Sequence, residues 1–154
     1  MPLDAGSPAP AFTLETADGP ISLSDFSGKK LVLYFYPKDD TPGCTTEGLQ
    51  FSALGDAFAK ADTKVVGVSK DSIASHSKFA AKHGLTITLA SDPEGETIEA
   101  YGAWVEKAMY GRKYMGIERS TFLIDRNGQI ASVWRKVKVA GHADAVLKAT
   151  QDLG

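Results

Sequence analysis

Six consecutive residues without a polar face, Leu31-Val32-Leu33-Tyr34-Phe35-Tyr36, constrain this chain more than any other feature. A strand with one wet face alternates apolar and polar residues; this run does not, so it must be a central strand covered on both sides. Pro37 ends it, because proline has no N–H to give a ladder. Phe51, Leu54 and Phe58 are spaced to share one helix face, which predicts a helix from about Pro42 to Lys60. A second apolar strand, Lys64 to Val68, follows. Strand, long crossover and strand make a parallel, right-handed unit.

The remaining segments extend this into a mixed α/β layered domain. Ala11 to Leu14 and Ile21 to Leu23 flank Asp18-Gly19, which predicts an N-terminal β-hairpin. Ile73 to His83 reads as a helix, and Asp92-Pro93 supplies an N-cap and first helical proline for a short one ending near Gly102. Ser120 to Asp125 and Ile130 to Trp134 read as strands around the turn Arg126-Asn127-Gly128. Ala143, Val146, Leu147 and Thr150 mark an amphipathic closing helix. Trp104, Met109, Tyr110, Tyr114 and Met115 enrich a long loop before Arg119, open between core packing and an apolar collar over a site. The 154 residues show no repeat and no Gly/Ser-rich linker, so one domain over 1–154 is expected.

Seventeen basic against nineteen acidic residues give a net charge of −2, without the basic surplus of a nucleic-acid binder or a polybasic membrane anchor. No stretch approaches the roughly 18 uninterrupted apolar residues of a membrane span. The first residues, Met1 to Pro8, have neither a basic nor an apolar leader region, so a cytoplasmic protein is expected. The single cysteine, Cys44, excludes an internal disulfide, a CxxC pair and a multi-cysteine zinc cage. His76, His83 and His142 are scattered without metal-ligand spacing and read as surface or helix-end residues. Asp39, Asp40 and Glu47 read as solvated loop charges, and Lys136 and Lys138, alternating with Val137 and Val139, as a strand face. No metal or cofactor is implied.

Functional groups of such sheets gather beyond the carboxyl ends of the strands, and there lies Pro37-Lys38-Asp39-Asp40-Thr41-Pro42-Gly43-Cys44. The residue before a proline is pushed out of the helical region, so Thr41 is a natural N-cap with Pro42, Gly43 and Cys44 in the first turn. Unpaired N–H groups and the macrodipole favour an anion there by typically about 0.3 to 1 kcal/mol, so a nearby cation is needed for more.

Pro37, Thr41 and Cys44, set in Tyr34 to Glu47, resemble the PxxxTxxC active-site signature of the peroxiredoxins, in particular the bacterioferritin comigratory protein or peroxiredoxin Q group. The similarity extends to Ser91-Asp92-Pro93, to Tyr110 through Asp125, and to Lys136-Val137-Lys138 followed by Gly141-His142. It implies a thioredoxin-like fold and thiol peroxidase activity. It also implies Cys44 as the peroxidatic cysteine, Thr41 as a hydrogen-bonding partner of peroxide and thiolate, Pro37 as a shield of the pocket, and Arg119 as the cation. Many relatives carry a resolving cysteine five residues after the peroxidatic one, where this chain has Leu49; the other location used in the group falls near Ala80 and Ala81. The resemblance is therefore to a one-cysteine variant, monomeric or weakly dimeric, acting on hydrogen peroxide and organic hydroperoxides. It depends on an external thiol such as thioredoxin, glutaredoxin or glutathione.

Ionisation alone does not make a peroxidase. For a thiol brought from a pKa of about 8.5 to about 6, the thiolate fraction at neutral pH rises about thirtyfold. Nucleophilicity falls about thirteenfold with a Brønsted slope of about 0.45, leaving about a twofold gain. The larger contribution must come from groups placed where charge develops on the peroxide oxygens, and the Cys44 N–H, the Thr41 hydroxyl and Arg119 are the candidates. The competing expectations are a thioredoxin-like binding or holdase module with an incidental thiol, and a disulfide exchanger, which would need a cysteine where Thr41 stands.

Overall fold

Every residue of β3 (Lys30–Phe35) is buried in the computed structural model, which describes residues 3–154. The other strands are β1 (Thr13–Thr16), β2 (Gly19–Ser22), β4 (Thr63–Ser69), β5 (Thr88–Ser91), β6 (Trp104–Met109), β7 (Arg112–Ile117), β8 (Ser120–Ile124) and β9 (Ile130–Trp134). The helices are α1 (Pro42–Ala53), α2 (Gly55–Lys60), α3 (Ile73–His83), α4 (Glu96–Ala100) and α5 (His142–Leu153). Seven strands make one mixed sheet in the order β2-β1-β5-β4-β3-β8-β9, with β3 central and parallel to β4, and β8 antiparallel to β3. This is the thioredoxin-like arrangement, with the N-terminal hairpin on one edge.

Alternate side chains of β3 enter different cores. Leu31, Leu33 and Phe35 pack with Val66, Val68, Ile98, Tyr101 and Phe122. Val32, Tyr34 and Tyr36 pack on the opposite face with Phe51, Phe58, Phe79, Val146 and Cys44. Each such side chain contributes about 1.5 to 3 kcal/mol by leaving water, so the run could not serve an edge strand. Tyr34 stacks on Phe51 with centroids 4.8 Å apart, and its ring crosses to β4 opposite Gly67. A Cβ at Gly67 would meet Tyr34 Cζ at 2.7 Å, so only glycine fits beside that ring.

Several expectations need correction. The helix expected over Pro42 to Lys60 is two, because the backbone at Leu54 (φ −95°, ψ 9°) leaves helical geometry before Gly55. Pro93 does not open a helix: α4 starts at Glu96, and buried Asp92 reaches forward to accept from the Ile98 N–H at 2.8 Å. The long loop carrying Trp104 to Met115 is the β6–β7 hairpin. Its turn, Tyr110-Gly111, has both φ angles positive, 52° and 79°. Met109, Tyr110, Tyr114 and Met115 are exposed, so they are not core, whereas Trp104 packs partly against it. Lys136 and Lys138 lie in a bent connection rather than a strand, and Val137 N–H donates to the Arg119 carbonyl at 3.0 Å. The four-residue strand β5 pairs with β4 and β1, and its sequence shows no periodicity of its own.

Among the described residues no helix is long and apolar enough to cross a membrane.

Candidate active site

The site grows from the carboxyl end of β3. Tyr36 N–H extends the β3–β4 pairing to the Val68 carbonyl at 3.1 Å, and exposed Pro37 then ends it. Thr41 is extended (φ −95°, ψ 154°) and Pro42 is the first helical residue, as the X-Pro restriction requires. The hydroxyl of Thr41 does not cap the helix, however; it donates to the Lys38 carbonyl at 2.9 Å. Its oxygen lone pairs remain available to accept. The Cys44 N–H is among the first-turn donors that an α-helix leaves without an intrahelical partner.

Arg119, on the neck between β7 and β8, reaches this turn from 75 residues away. Its Nη2 donates to Cys44 Sγ at 3.2 Å and its Nη1 to Glu47 Oε1 at 2.6 Å. Cys44 is 2% exposed, while its chain neighbours Gly43 and Thr45 are half-buried and Pro42 is exposed. A Cβ at Gly43 would meet Nη2 at 3.2 Å, so a side chain there would press on the guanidinium. The Arg119 side chain is 16% exposed, and the Cys44 and Glu47 charges raise its pKa against the effect of burial.

Glu47 is one turn after Cys44 and 1% exposed, with Oε2 unpartnered among the described residues. Burial pushes its carboxyl up to about 7, only partly offset by Arg119. His142, expected at a surface or helix end, opens α5 but is buried, with Nε2 2.8 Å from Thr121 Oγ1. Burial and the Arg119 charge push it down to about 4, so it is neutral near pH 7 and adds no second cation.

The loop itself is held by a buried network. Asp39 accepts from Tyr36 (2.6 Å), Ser75 (2.7 Å) and His76 Nδ1 (2.8 Å), and its N–H donates to Asp71 Oδ2 at 2.9 Å. Burial would raise the Asp39 pKa, but these hydrogen bonds outweigh it and hold the carboxyl below the usual range. His76 Nε2 faces the Ala90 carbonyl at 3.0 Å. Asp40, in the left-handed region at φ 59°, is bound by Lys82 (2.8 Å) and His83 (2.7 Å) at the end of α3. The expectation of solvated loop charges thus holds for Asp40 and fails for Asp39 and Glu47, which are buried.

The structure brings Cys44 and Arg119 together, places Thr41 at the helix start, and leaves Pro37 on the solvent side of the loop. Ligand atoms of Asp39, Asp71 and His76 gather within 4.8 Å, although their sequence spacing had suggested no metal companions. Protein donors already occupy those carboxylates, so the cluster is accounted for as loop architecture. A groove of about 560 Å³ lined by Phe12, Leu23, Leu31 and Asn127 lies at the opposite end of β3 and has no part in this chemistry. Sequence reasoning missed Glu47, Asp39 and His142 as site neighbours; only Glu47 carried a signal, its i+3 spacing from Cys44.

Comparison with known proteins agrees with this geometry. The AhpC/TSA family model matches residues 5–133. Peroxiredoxin Bcp of Xanthomonas campestris pv. campestris is 54% identical over 142 residues, covering 87% of this chain and 89% of that protein. Peroxiredoxin Bcp of Bacillus subtilis is 46% identical over 154 residues, 99% of this chain and 98% of the other. Among solved structures, a cysteine-to-serine variant of PrxQ from Xylella fastidiosa has a TM-score of 0.93 at 41% identity, covering 99% of this chain and 98% of that one. A structure of the Xanthomonas campestris bacterioferritin comigratory protein, titled for its alkyl peroxide reduction activity, has a TM-score of 0.88 at 50% identity, with 92% and 90% covered. A lone thiol bound by a guanidinium at a helix start, on this sheet and with these relatives, means that the chain belongs to the AhpC/TSA family, in its Bcp/peroxiredoxin Q group.

Proposed function

We propose that the chain, acting as one thioredoxin-like domain, reduces hydrogen peroxide and organic hydroperoxides at Cys44 and is regenerated by an external thiol. The observation that carries this reading is the 3.2 Å contact between Arg119 Nη2 and Cys44 Sγ at the start of α1. It supplies the cation that a helix terminus alone does not replace. The Cys44 thiolate attacks one peroxide oxygen, the O–O bond breaks, and the second oxygen leaves as water or alcohol once protonated. Arg119 and the Cys44 N–H stabilise charge on the oxygens, and Pro37 screens the loop from the solvent side.

Thr41 takes a role different from a donor. With its proton engaged by Lys38, its oxygen accepts the peroxide O–H and orients the substrate. Thr41→Val is therefore expected to slow peroxide reduction about a hundredfold, as misplacing a bound substrate by about an ångström does. Alkylation of Cys44 by iodoacetamide, which needs only the thiolate, should change less than about twofold. Equal losses in both reactions would contradict the role.

Leu49 is 43% exposed, Ala80 half-buried and Ala81 exposed, so the positions where relatives resolve the sulfenic acid offer no thiol. Thioredoxin, glutaredoxin or glutathione must then complete the cycle, in a cytoplasm that keeps such thiols reduced, on a monomer or weak dimer. The test is stoichiometric. Reduced protein without added thiol should consume about one peroxide per Cys44 and stop, and added thiol should restart it. Sustained consumption without thiol, or none with it, would overturn the reading.

A further inference from the structure

Peroxide reduction by a thiolate leaves a proton account open, and Glu47 is the buried group that the mechanism above does not use. One guanidinium stands between two acids: Sγ on Nη2 and Glu47 Oε1 on Nη1. With both ionised, the buried site would carry a net negative charge, and burial penalises an uncompensated charge heavily. Glu47 Oε2, buried and without a hydrogen-bond partner among the described residues, is the unsatisfied end. Placing a proton there removes the excess charge and leaves Oε1 free to accept from Arg119.

Resting on the peroxidase reading, we propose that Glu47 Oε2 stores the proton delivered to the leaving oxygen, so that negative charge passes from Cys44 to Glu47 while Arg119 stays between them. The balance is complete. The sulfur lone pair forms the S–O bond, the O–O bond breaks, and its electron pair leaves with the second oxygen. That oxygen takes the proton held on Glu47. Sulfur loses two electrons, the peroxide gains them, and the products are a Cys44 sulfenic acid, water or an alcohol, and a Glu47 carboxylate. The site is neutral before and after, because Arg119⁺ pairs first with the thiolate and then with the carboxylate.

The surroundings favour this exchange. Glu47 is met by Arg119 from the neck between β7 and β8 and lies near Tyr34 of β3, while Cys44 and His142 of α5 face the same guanidinium. Burial and the Glu47 and Cys44 charges hold the Tyr34 pKa well above its usual value, so it stays protonated. His142 is uncharged near neutral pH, which leaves Arg119 as the counter-ion for both acids. The Glu47 carboxyl, at about 7, titrates where a donor is most useful. Glu47 makes its hydrogen bond to Arg119 rather than to the sulfur, so it is a positioning and proton-storing residue.

The test is infrared difference spectroscopy of the full chain, reduced against oxidised by one equivalent of hydrogen peroxide near pH 7. Wild-type protein should lose a protonated-carboxyl C=O band and gain carboxylate bands on oxidation, and Glu47→Gln should lack this change. The variant should also react with peroxide about a hundredfold more slowly, the lower range for a removed proton donor. A band that is absent or unchanged in wild type, or one that persists in Glu47→Gln, overturns the proposal. The wild-type spectrum decides even if the variant does not fold. Mass spectrometry of the same samples separates the two claims: no oxygen on Cys44 means the peroxidase reading fails, whereas oxygen on Cys44 with an unchanged carboxyl means only the proton store fails.

Discussion

Arg119→Met is expected to slow the reaction of Cys44 with hydrogen peroxide about 10² to 10³-fold, the usual cost of removing a donor aimed at developing oxyanion charge. The size follows from the geometry. Arg119 donates both to the sulfur at 3.2 Å and to Glu47 at 2.6 Å, so its loss removes the cation and leaves the Glu47 carboxyl without its partner. A buried ion pair broken on one side costs about 3 to 5 kcal/mol when the remaining charge cannot adapt. Glu47 adapts: its carboxyl is already at about 7 with Arg119 present, and without that cation it rises further and holds its proton at neutral pH. A carboxyl with a raised folded-state pKa favours folding most below its unfolded value of about 4.5, and that stability is lost as pH rises through the folded pKa. Against wild type at the same pH, denaturant melts of Arg119→Met should therefore show a deficit that is smallest near pH 6, where Glu47 is protonated in both proteins, and that grows above pH 7. Activity retained within tenfold would remove Arg119 from the mechanism, and a stability loss independent of pH would remove the protonated carboxyl.

Cys44→Ser carries the second large effect, a complete loss of peroxide consumption even with abundant reductant. A serine hydroxyl is hardly ionised at neutral pH, and oxygen has no sulfenic acid chemistry to offer. Because Cys44 is small and 2% exposed, serine fits its volume, although a hydroxyl beside Phe51 and Tyr34 is less at home there than a thiol. Circular dichroism should match wild type while the peroxide assay falls to background. A thioredoxin-like holdase with an incidental thiol predicts the reverse: suppression of client aggregation unchanged in the variant and no peroxide consumption in either protein.

What the sequence displayed, and what it hid, follows from the range of the interactions. The burial of Leu31 to Tyr36 was legible because a strand covered on both faces writes its environment into consecutive residues. The start of α1 was legible because Thr41-Pro42 is a local backbone restriction. The β6–β7 hairpin was not, because its turn puts Tyr110 at φ 52°, where Asn or Asp is the usual signal. Four-residue β5 is too short to show a period, and its strand character comes from pairing with β4 and β1. The Arg119–Cys44 contact spans 75 positions, so no local rule points to it; the family resemblance alone proposed it, and the geometry places the guanidinium on the sulfur. Glu47 was misread as solvated for the same reason, since the arginine that compensates its burial is 72 positions away.

Intact-protein and peptide mass spectrometry of Cys44 after a limiting dose of hydrogen peroxide, with and without glutathione, asks most directly whether this sulfur is an oxidisable anion under Arg119. One oxygen on Cys44 in the absence of thiol, replaced by a glutathione mixed disulfide at the same residue in its presence, is the expected result. An unmodified Cys44 with the peroxide left in solution would contradict it.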